Sequence, residues 1–313
     1  MANNAKLYFK YIIKTTFMYL AIILIAVFLF HLILSAFLIS NVNILDSLKY
    51  IGNLFIRNYG FININSVISV EKLYFSYFKF SMILINISFL ISFFISFLIA
   101  YALAKNTNNI AANTFNILVF IFSSIPIFIL GPIAIGFASK VNLPIMYIES
   151  YYGSIFNTMV SLLLPILILV ITILPLGISI NYQILNKIII GDYYKMAKAN
   201  GANNMQLFVK VILKNWVIEY FEKVIYIYIY LLSYSMIIER FFYIPGQSFL
   251  FQYLGNPEYF ALLMYSILLN IVIISLIKAL AELIIFICEP QKQYYNIINW
   301  KVICKKLKML RKA

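Results

Sequence analysis

The sequence contains few charged residues, one histidine and two cysteines. Only 11% of its 313 residues are Asp, Glu, Lys or Arg, and 64% are hydrophobic. Soluble domains usually carry about 25% charged residues. Even a soluble fold of about 300 residues buries only about 75% of the surface that its chain exposes, so it has no way to hide this much apolar surface. The composition therefore excludes soluble enzymes, nucleic-acid-binding domains and disordered proteins, and predicts an integral membrane protein.

Reactive side chains are also scarce, which argues against a membrane enzyme. Cys288 and Cys304 have no CxxC spacing, so they predict neither a disulfide framework nor a zinc site. His31 lies alone in an apolar run, where a packed or interface role is expected rather than catalysis or metal binding. None of the ten glycines is followed by lysine, so the chain lacks the Gly-Lys-Ser/Thr of a P-loop.

Six apolar stretches predict six transmembrane helices, since a helix needs about 20 apolar residues to cross the hydrocarbon core. Five charge-free windows occur at 15–45, 80–104, 106–139, 150–186 and 259–277. The sixth, 224–238, is shorter and reaches full length only with Glu222/Lys223 and Glu239/Arg240 near the two interfaces. Its alternating Ile and Tyr would suit a strand in water. An isolated strand in lipid leaves backbone groups unpaired, so a helix is expected.

The basic residues orient the chain and divide it into three parts. Most of the 24 Lys and Arg residues lie on the side of the N-terminus, so the positive-inside rule predicts that both termini are cytoplasmic. The expected parts are a first helix with an extracellular segment (1–75), a transmembrane domain with a cytoplasmic loop at about 182–223 (76–290), and a basic tail (291–313). The tail and the net charge of +14 indicate attraction to anionic lipid headgroups rather than to nucleic acid.

The cytoplasmic loop has the pattern of two helices joined by a glycine. Asp192 is expected to cap the first helix, Asn200-Gly201 to end it, and Asn203 to cap the second. The second helix has an apolar face at helical spacing, formed by Met205, Phe208, Val209, Ile212 and Trp216. The pattern predicts two short helices joined by a sharp turn. By spacing alone, it is equally typical of an ordinary connector on the membrane surface.

Two motifs in this part of the chain resemble one transporter family. Residues 192–201, DYYKMAKANG, resemble the DYxxxARAKG form of the EAA loop in type I ABC importer permeases, especially the oligopeptide/dipeptide/nickel permease family. Ala197 and Gly201 occupy the Ala and Gly of that motif, and Lys214-Asn215 matches its later Arg-Asn. Residues 239–246, ERFFYIPG, resemble the family's ExxFxxPGLG segment, whose positions are held here by Glu239, Phe242, Pro245 and Gly246.

Weaker matches and several departures mark the chain as a divergent member. The matches follow the family's order over roughly residues 76–294 and comprise Pro126 with Phe128, Gly153-Ser154 with Leu164-Pro165, and Glu289-Pro290. Lys195 stands where the broader motif has Glu, and Val211 replaces a common His. Glu219 replaces the Pro that usually ends the motif, and Gln247-Ser248 replace its final Leu-Gly.

The resemblance implies an all-α type I ABC importer permease fold and the partners of an ATP-driven importer. These are a homologous second permease, two cytoplasmic ATPase subunits that bind ATP and Mg, an extracellular substrate-binding lipoprotein and a bacterial cell membrane. The glycine-linked helix pair would dock in a cleft on an ATPase subunit. Its coupling residues would be Asp192, Tyr193, Lys195, Ala197, Gly201, Met205 and Phe208. The chain itself is expected to bind no metal or cofactor and to be no enzyme.

The sequence assigns no substrate-contacting residue, although its intramembrane polar residues narrow the class of substrate. Lys278 and Glu282 are spaced i, i+4 and are expected to neutralise each other. Glu239 is suited either to orienting the Pro245-Gly246 turn or to contacting substrate, and the orienting role is favoured. Tyr226, Tyr228, Tyr230 and Tyr234 of the fifth span suit either a polar path or contact with a partner permease. Because the charges are so few, a wide cavity that binds peptide backbone through hydrogen bonds is favoured. A tight metal-binding site is not supported.

Three alternatives stay open at this stage. Family resemblance alone also suits a nickel or metal-chelate importer. A secondary transporter without an ATPase would need inverted repeats and paired intramembrane acids, of which the sequence offers only Glu282. A membrane anchor that transports nothing also fits the composition.

Overall fold

The protein is mostly helical and most of its helices have the length of membrane spans. The structure, a computed structural model, describes residues 2–39, 43–56, 58–64, 66–106, 125–149, 153–253 and 255–289, with a few positions between 114 and 121. Among these residues, five helices are long and apolar enough to cross a membrane. They are α1 (Ala2–Leu38), α3 (Val70–Lys105), α5 (Ile155–Ile190), α7 (Asn204–Phe241) and α8 (Phe260–Cys288).

The expected third span is described only in its second half. Helix α4 (Ile127–Lys140) has 14 residues, which at 1.5 Å per residue gives about 21 Å, shorter than the hydrocarbon core of about 30 Å. Pro126 lies just before this helix, at its N-terminal capping position. Most of the remaining window, 106–124, lies outside the described residues, so this third span, and with it the count of six, stays a prediction. The basic tail 291–313 lies outside them as well.

A stripe of small residues on α3 allows α5 to pack closely against it. Ser88, Ser92, Ser96, Ala100 and Ala104 recur every four residues and are all buried. Small side chains let helix backbones approach closely in a membrane, where apolar burial gives no preference for protein over lipid. Gly177 of α5 lies against this stripe, and a Cβ built there would be 3.0 Å from the Cβ of Ser96. These two helices form the centre of the main core.

The N-terminal part of the chain packs against α3 and the first half of α8 through a second core. Val27 of α1, Tyr74 of α3 and Tyr265 of α8 are buried together in this cluster. Helix α2 (Ile44–Phe55) and the antiparallel hairpin β1 (Phe61–Ile64) and β2 (Ser66–Ser69) lie between α1 and α3 in the chain. In the hairpin, Phe61 pairs with Ser69 and Ile64 with Ser66. Because α3 begins at Val70, the expected division at residue 75 falls inside one helix.

Candidate functional site

A sharp turn separates α5 from α7 and contains the short helix α6 (Asp192–Ala199). Gly201 has φ +79°, a left-handed conformation that glycine adopts without a Cβ penalty. The N–H of Gly201 donates to the Lys198 carbonyl at 3.1 Å, and the N–H of Ala202 donates to the Ala197 carbonyl at 3.2 Å. This pair of bonds is the Schellman pattern of a helix end. The expected glycine-terminated helix is confirmed, and we call residues 192–206 the elbow.

The capping expectations hold at one end of the elbow and fail at the other. Asn203 and Gln206 form a reciprocal capping box, with Gln206 N donating to Asn203 Oδ1 at 2.8 Å and Asn203 N donating to Gln206 Oε1 at 3.1 Å. Asp192, in contrast, is not the cap. Gly191 occupies the capping position and Asp192 is the first helical residue, with no side-chain capping bond. Its carboxylate still lies beside the N-terminal end of the helix dipole, where negative charge is favourable.

The sequence predicts a short second helix in the elbow, and this prediction is wrong. It continues through a π-helical stretch (Leu207–Leu213) into the membrane span, so that α7 runs unbroken for 38 residues. Glu219 stands where the motif it resembles usually ends in proline, and unlike proline it leaves the backbone hydrogen bonds of the helix intact. The elbow is therefore joined directly to a membrane-spanning helix.

The π-helical stretch also divides the expected apolar face of this helix. Met205 and Val209 are exposed, whereas Ile212 and Trp216 are buried. Phe208 is half-buried, with its ring centroid 5.3 Å from that of Tyr101 on α3. A π-helix places more residues in each turn than an α-helix, so positions that would share one α-helical face are rotated apart.

The exposed side of the elbow carries large apolar side chains. Tyr193, Met196 and Met205 are between 63% and 68% exposed. Asp192 and Lys195 are exposed beside them, and Ala197 is half-buried against the main core. Three large apolar side chains exposed around one short turn are typical of a surface that another protein covers. We call Tyr193, Met196 and Met205 the elbow rim.

A buried polar chain links the start of α7 to the two central helices. Trp216 Nε1 donates to Asn181 Oδ1 of α5 at 2.7 Å, and Asn181 Nδ2 donates to Ser96 Oγ of α3 at 3.0 Å. Asn181 is completely buried. The Trp216 ring also lies 4.4 Å from the Phe97 ring, centroid to centroid. Buried polar groups must be paired, so these bonds fix how the three helices meet next to the elbow.

An ion pair and a cavity lie where α5, α6 and α7 meet. Lys187 Nζ of α5 is 2.7 Å from Glu219 Oε1 of α7. The cavity beside them has a volume of about 220 Å³ and is also lined by Asp192, Tyr194 and Glu289. Glu219, which departs from the family motif, thus connects the two spans that flank the elbow.

The second motif forms a tight turn at the far end of α7. Glu239 is completely buried, and its Oε2 accepts a hydrogen bond from the Ser248 N–H at 2.9 Å. A Cβ on Gly246 would lie 2.2 Å from Glu239 Cδ, so only glycine fits there. The carbonyl of the buried Phe242 accepts from the Tyr147 N–H at 2.9 Å, and Pro245 is half-buried within the turn. The buried carboxylate of Glu239 is thus bonded to the backbone that follows the turn.

The intramembrane pair of α8 has the expected arrangement. Lys278 Nζ lies 3.8 Å from Glu282 Oε1, with the side chain of Lys278 36% exposed and that of Glu282 20% exposed. Among the described residues, no three His, Cys, Asp or Glu side chains are grouped so that they could hold a metal ion.

Comparison with protein families identifies the chain. The profile of one family, described as the binding-protein-dependent transport system inner membrane component, matches residues 96–293, which is more than half of the sequence. The chain belongs to this family. It is therefore a multi-pass membrane component, a permease, of an ABC importer. A comparison with the curated proteins found no match.

The matched region contains the elbow, all three residues of the buried polar chain and the Glu239–Gly246 turn. Sequence reasoning had not singled out Ser96 or Asn181, and had assigned Trp216 only to an apolar face. The available signal was an asparagine inside a charge-free span, because polar residues within membrane helices usually bond to neighbouring helices. The partner of that asparagine, 85 positions away, had no signal in the sequence.

Proposed function

We propose that this permease pairs with a homologous permease to form the membrane pathway of a peptide importer. In this proposal both termini are cytoplasmic, six helices span a bacterial cell membrane, and the elbow faces the cytoplasm. Two ATPase subunits bind ATP and Mg, and an extracellular lipoprotein delivers oligopeptides or dipeptides. The observation that carries the proposal is the elbow, because it combines a rigid glycine turn with an uncovered apolar rim.

The exposed surface of the elbow supports its docking to an ATPase partner. Tyr193 and Met205 lie on the exposed side of the turn, and Gly201 sets the angle between them through its left-handed backbone. Asp192 and Lys195 add exposed charges of both signs around this rim. An apolar centre with a polar border is the usual composition of a protein interface. Phe208 belongs instead to the permease core, so we remove it from the docking set.

The connection from elbow to membrane span supplies a means of transmitting motion. Helix α7 is continuous from Asn204 to Phe241, so a displacement of the elbow moves the span without an intervening loop. Trp216 and Asn181 tie the base of this helix to α5, and the Lys187–Glu219 pair ties the same two helices next to the elbow. Closure of the ATPases would therefore move α5 and α7 together as one lever.

The substrate class is inferred from the exposed face of α7. Tyr226 and Tyr230 are exposed one turn apart, and the Tyr230 ring lies 5.9 Å from that of Tyr234. Phenol hydroxyls both donate and accept hydrogen bonds, which suits recognition of peptide backbone without charge selection. We propose that this face lines the pathway. Binding of peptides and of a nickel chelate to the cognate extracellular receptor would separate the peptide proposal from a metal-chelate importer.

Two substitutions at one position test the coupling role. Gly201→Pro fixes φ near −65°, which is incompatible with the turn, whereas Gly201→Asn is tolerated in the left-handed region. In proteoliposomes containing both permeases and both ATPases, we expect Gly201→Pro to abolish ATP-driven peptide uptake and Gly201→Asn to retain most of it. Membrane insertion of both variants, measured by their yield in the membrane fraction, serves as the control. Uptake at the wild-type rate in the proline variant would refute the coupling role.

A further inference from the structure

Helix α2 has three distinct faces. Ser47, Tyr50 and Leu54 point toward the protein and pack in or beside the second core. The polar residues Asp46, Lys49 and Asn53 form a second, exposed face, on which Lys49 Nζ lies 3.6 Å from Asp46 Oδ1. The third face is apolar and between 53% and 77% exposed, and it consists of Ile44, Leu45, Leu48, Phe55 and Ile56. We call this third set the α2 apolar face.

Contacts with α1 place α2 beside the membrane-spanning part of that helix rather than above it. His31 Nδ1 and Ser47 Oγ are 2.8 Å apart, and both residues are buried. His31 precedes Leu38, the end of α1, by seven residues, which corresponds to about 10 Å along a helix axis. The chain therefore turns back after α1, and α2 lies level with the last two turns of an apolar span.

The start of the last span gives the same level. The rings of His31 and Phe260 are 5.1 Å apart, centroid to centroid, and Phe260 is the first residue of α8. At this level α1 exposes Ile33 and Phe37, which belong to its membrane-spanning segment (Ile12–Leu38). The α2 apolar face thus lies at the same level as exposed apolar side chains of a membrane-spanning segment.

We propose that α2 is an interfacial helix whose apolar face is embedded in the lipid of the membrane leaflet opposite the elbow. A helix lying flat in the interface needs an apolar face toward the acyl chains and a polar face toward water. Here the two faces are adjacent rather than opposite, because the third side of the helix is occupied by the protein. The Asp46–Lys49 pair then lies on the water side, at the level of the headgroups.

Lipid is a better occupant than a soluble binding protein for two reasons. Ile44, Leu48 and Phe55 are bulky, and the α2 apolar face carries no charged or hydrogen-bonding side chain. Interfaces with soluble partners also contain polar groups, most of them at the rim. The polar residues that a receptor could contact, Asp46 and Asn53, lie on the other exposed face. The proposal does not depend on the coupling role of the elbow.

Spin labels on the two exposed faces test the proposal directly. In a background with Cys288 and Cys304 replaced by serine, a nitroxide is attached at Leu48→Cys or Asn53→Cys of the full-length chain. The chain is placed in nanodiscs of phosphatidylethanolamine and phosphatidylglycerol, where both membrane faces are open to reagents. Collision rates with oxygen, which concentrates in the bilayer, and with a water-soluble nickel complex are measured by power saturation.

We expect the ratio of oxygen to nickel accessibility to be severalfold higher at position 48 than at position 53. Equal ratios at the two positions, with nickel accessibility high at both, would overturn the proposal, since the apolar face would then meet water. The measurement is repeated with the extracellular binding protein and with the partner permease present. Loss of oxygen accessibility and immobilisation of the label at position 48 with either partner would also overturn it, because a protein would then cover this face. Unchanged spectra would support it.

Discussion

Replacing Gly246 with alanine should destabilise the turn that follows α7, because the added methyl group would overlap the carboxyl group of Glu239. The new Cβ would lie 2.2 Å from Cδ, 2.4 Å from Oε2 and 2.7 Å from Oε1. Glu239 is completely buried and has little space in which to move. Displacing it would break the hydrogen bond that it accepts from the Ser248 N–H.

The size of the effect follows from these two losses. Overpacking a buried site costs about 1–3 kcal/mol, and leaving a buried hydrogen-bonding group unpaired costs a further 1–3 kcal/mol or so. The free energy of unfolding should therefore fall by roughly 2–6 kcal/mol. With a shift of about 2–4 °C per kcal/mol, even the lower value corresponds to a decrease in apparent Tm of about 4 °C.

Thermal unfolding of the purified protein in detergent, followed by its tyrosine and tryptophan fluorescence, measures this shift. Gly52→Ala is the matched control, because no atom lies within 4 Å of a Cβ built there and its φ is not in the left-handed region. The double variant Gly246→Ala/Glu239→Ala removes the carboxyl group, so its loss of stability should be smaller than the sum of the two single losses. An apparent Tm for Gly246→Ala equal to that of Gly52→Ala would refute the reasoning.

Two further predictions concern polar contacts inside the membrane domain. Trp216→Phe removes the donor to Asn181 Oδ1 and leaves a buried acceptor unpaired, so we expect a loss of about 1–3 kcal/mol, seen as a lower apparent Tm. An unchanged apparent Tm would show that this bond has no structural role. Lys278→Ala removes the partner of Glu282, and the double variant Lys278→Ala/Glu282→Ala should be more stable than this single variant, because no unpaired charge remains. A double variant less stable than Lys278→Ala would contradict the pairing.

Local features of the site could be predicted from the sequence because neighbouring residues determine them. Gly201 adopts the left-handed conformation in which it ends α6, and Asn203 caps the next helix. Both results depend on backbone groups only a few residues away. The wrong prediction that Asp192 caps α6 also has a local cause. Gly191 occupies the capping position, so the helix begins at Asp192 itself.

The features that sequence reasoning missed depend on contacts between helices. The environment of Phe208 follows from the π-helical stretch, which no periodic pattern of apolar residues signals. The bond between Asn181 and Ser96 joins two spans, and the need for glycine at position 246 comes from the buried Glu239. Such constraints arise only when the helices are packed together, so a linear pattern has no means of specifying them.

Site-directed cross-linking between the elbow and the ATPase subunits tests the central claim most directly. Single cysteines replace Tyr193, Met205 or Phe208 in a background with Cys288 and Cys304 changed to serine, and the chain is co-expressed with its cognate ATPases. We expect Tyr193→Cys and Met205→Cys to cross-link to an ATPase subunit, and Phe208→Cys, which faces Tyr101 inside the permease, to give no such product. Labelling of Met205→Cys from the extracellular side, or an intact complex without any elbow cross-link, would contradict the account.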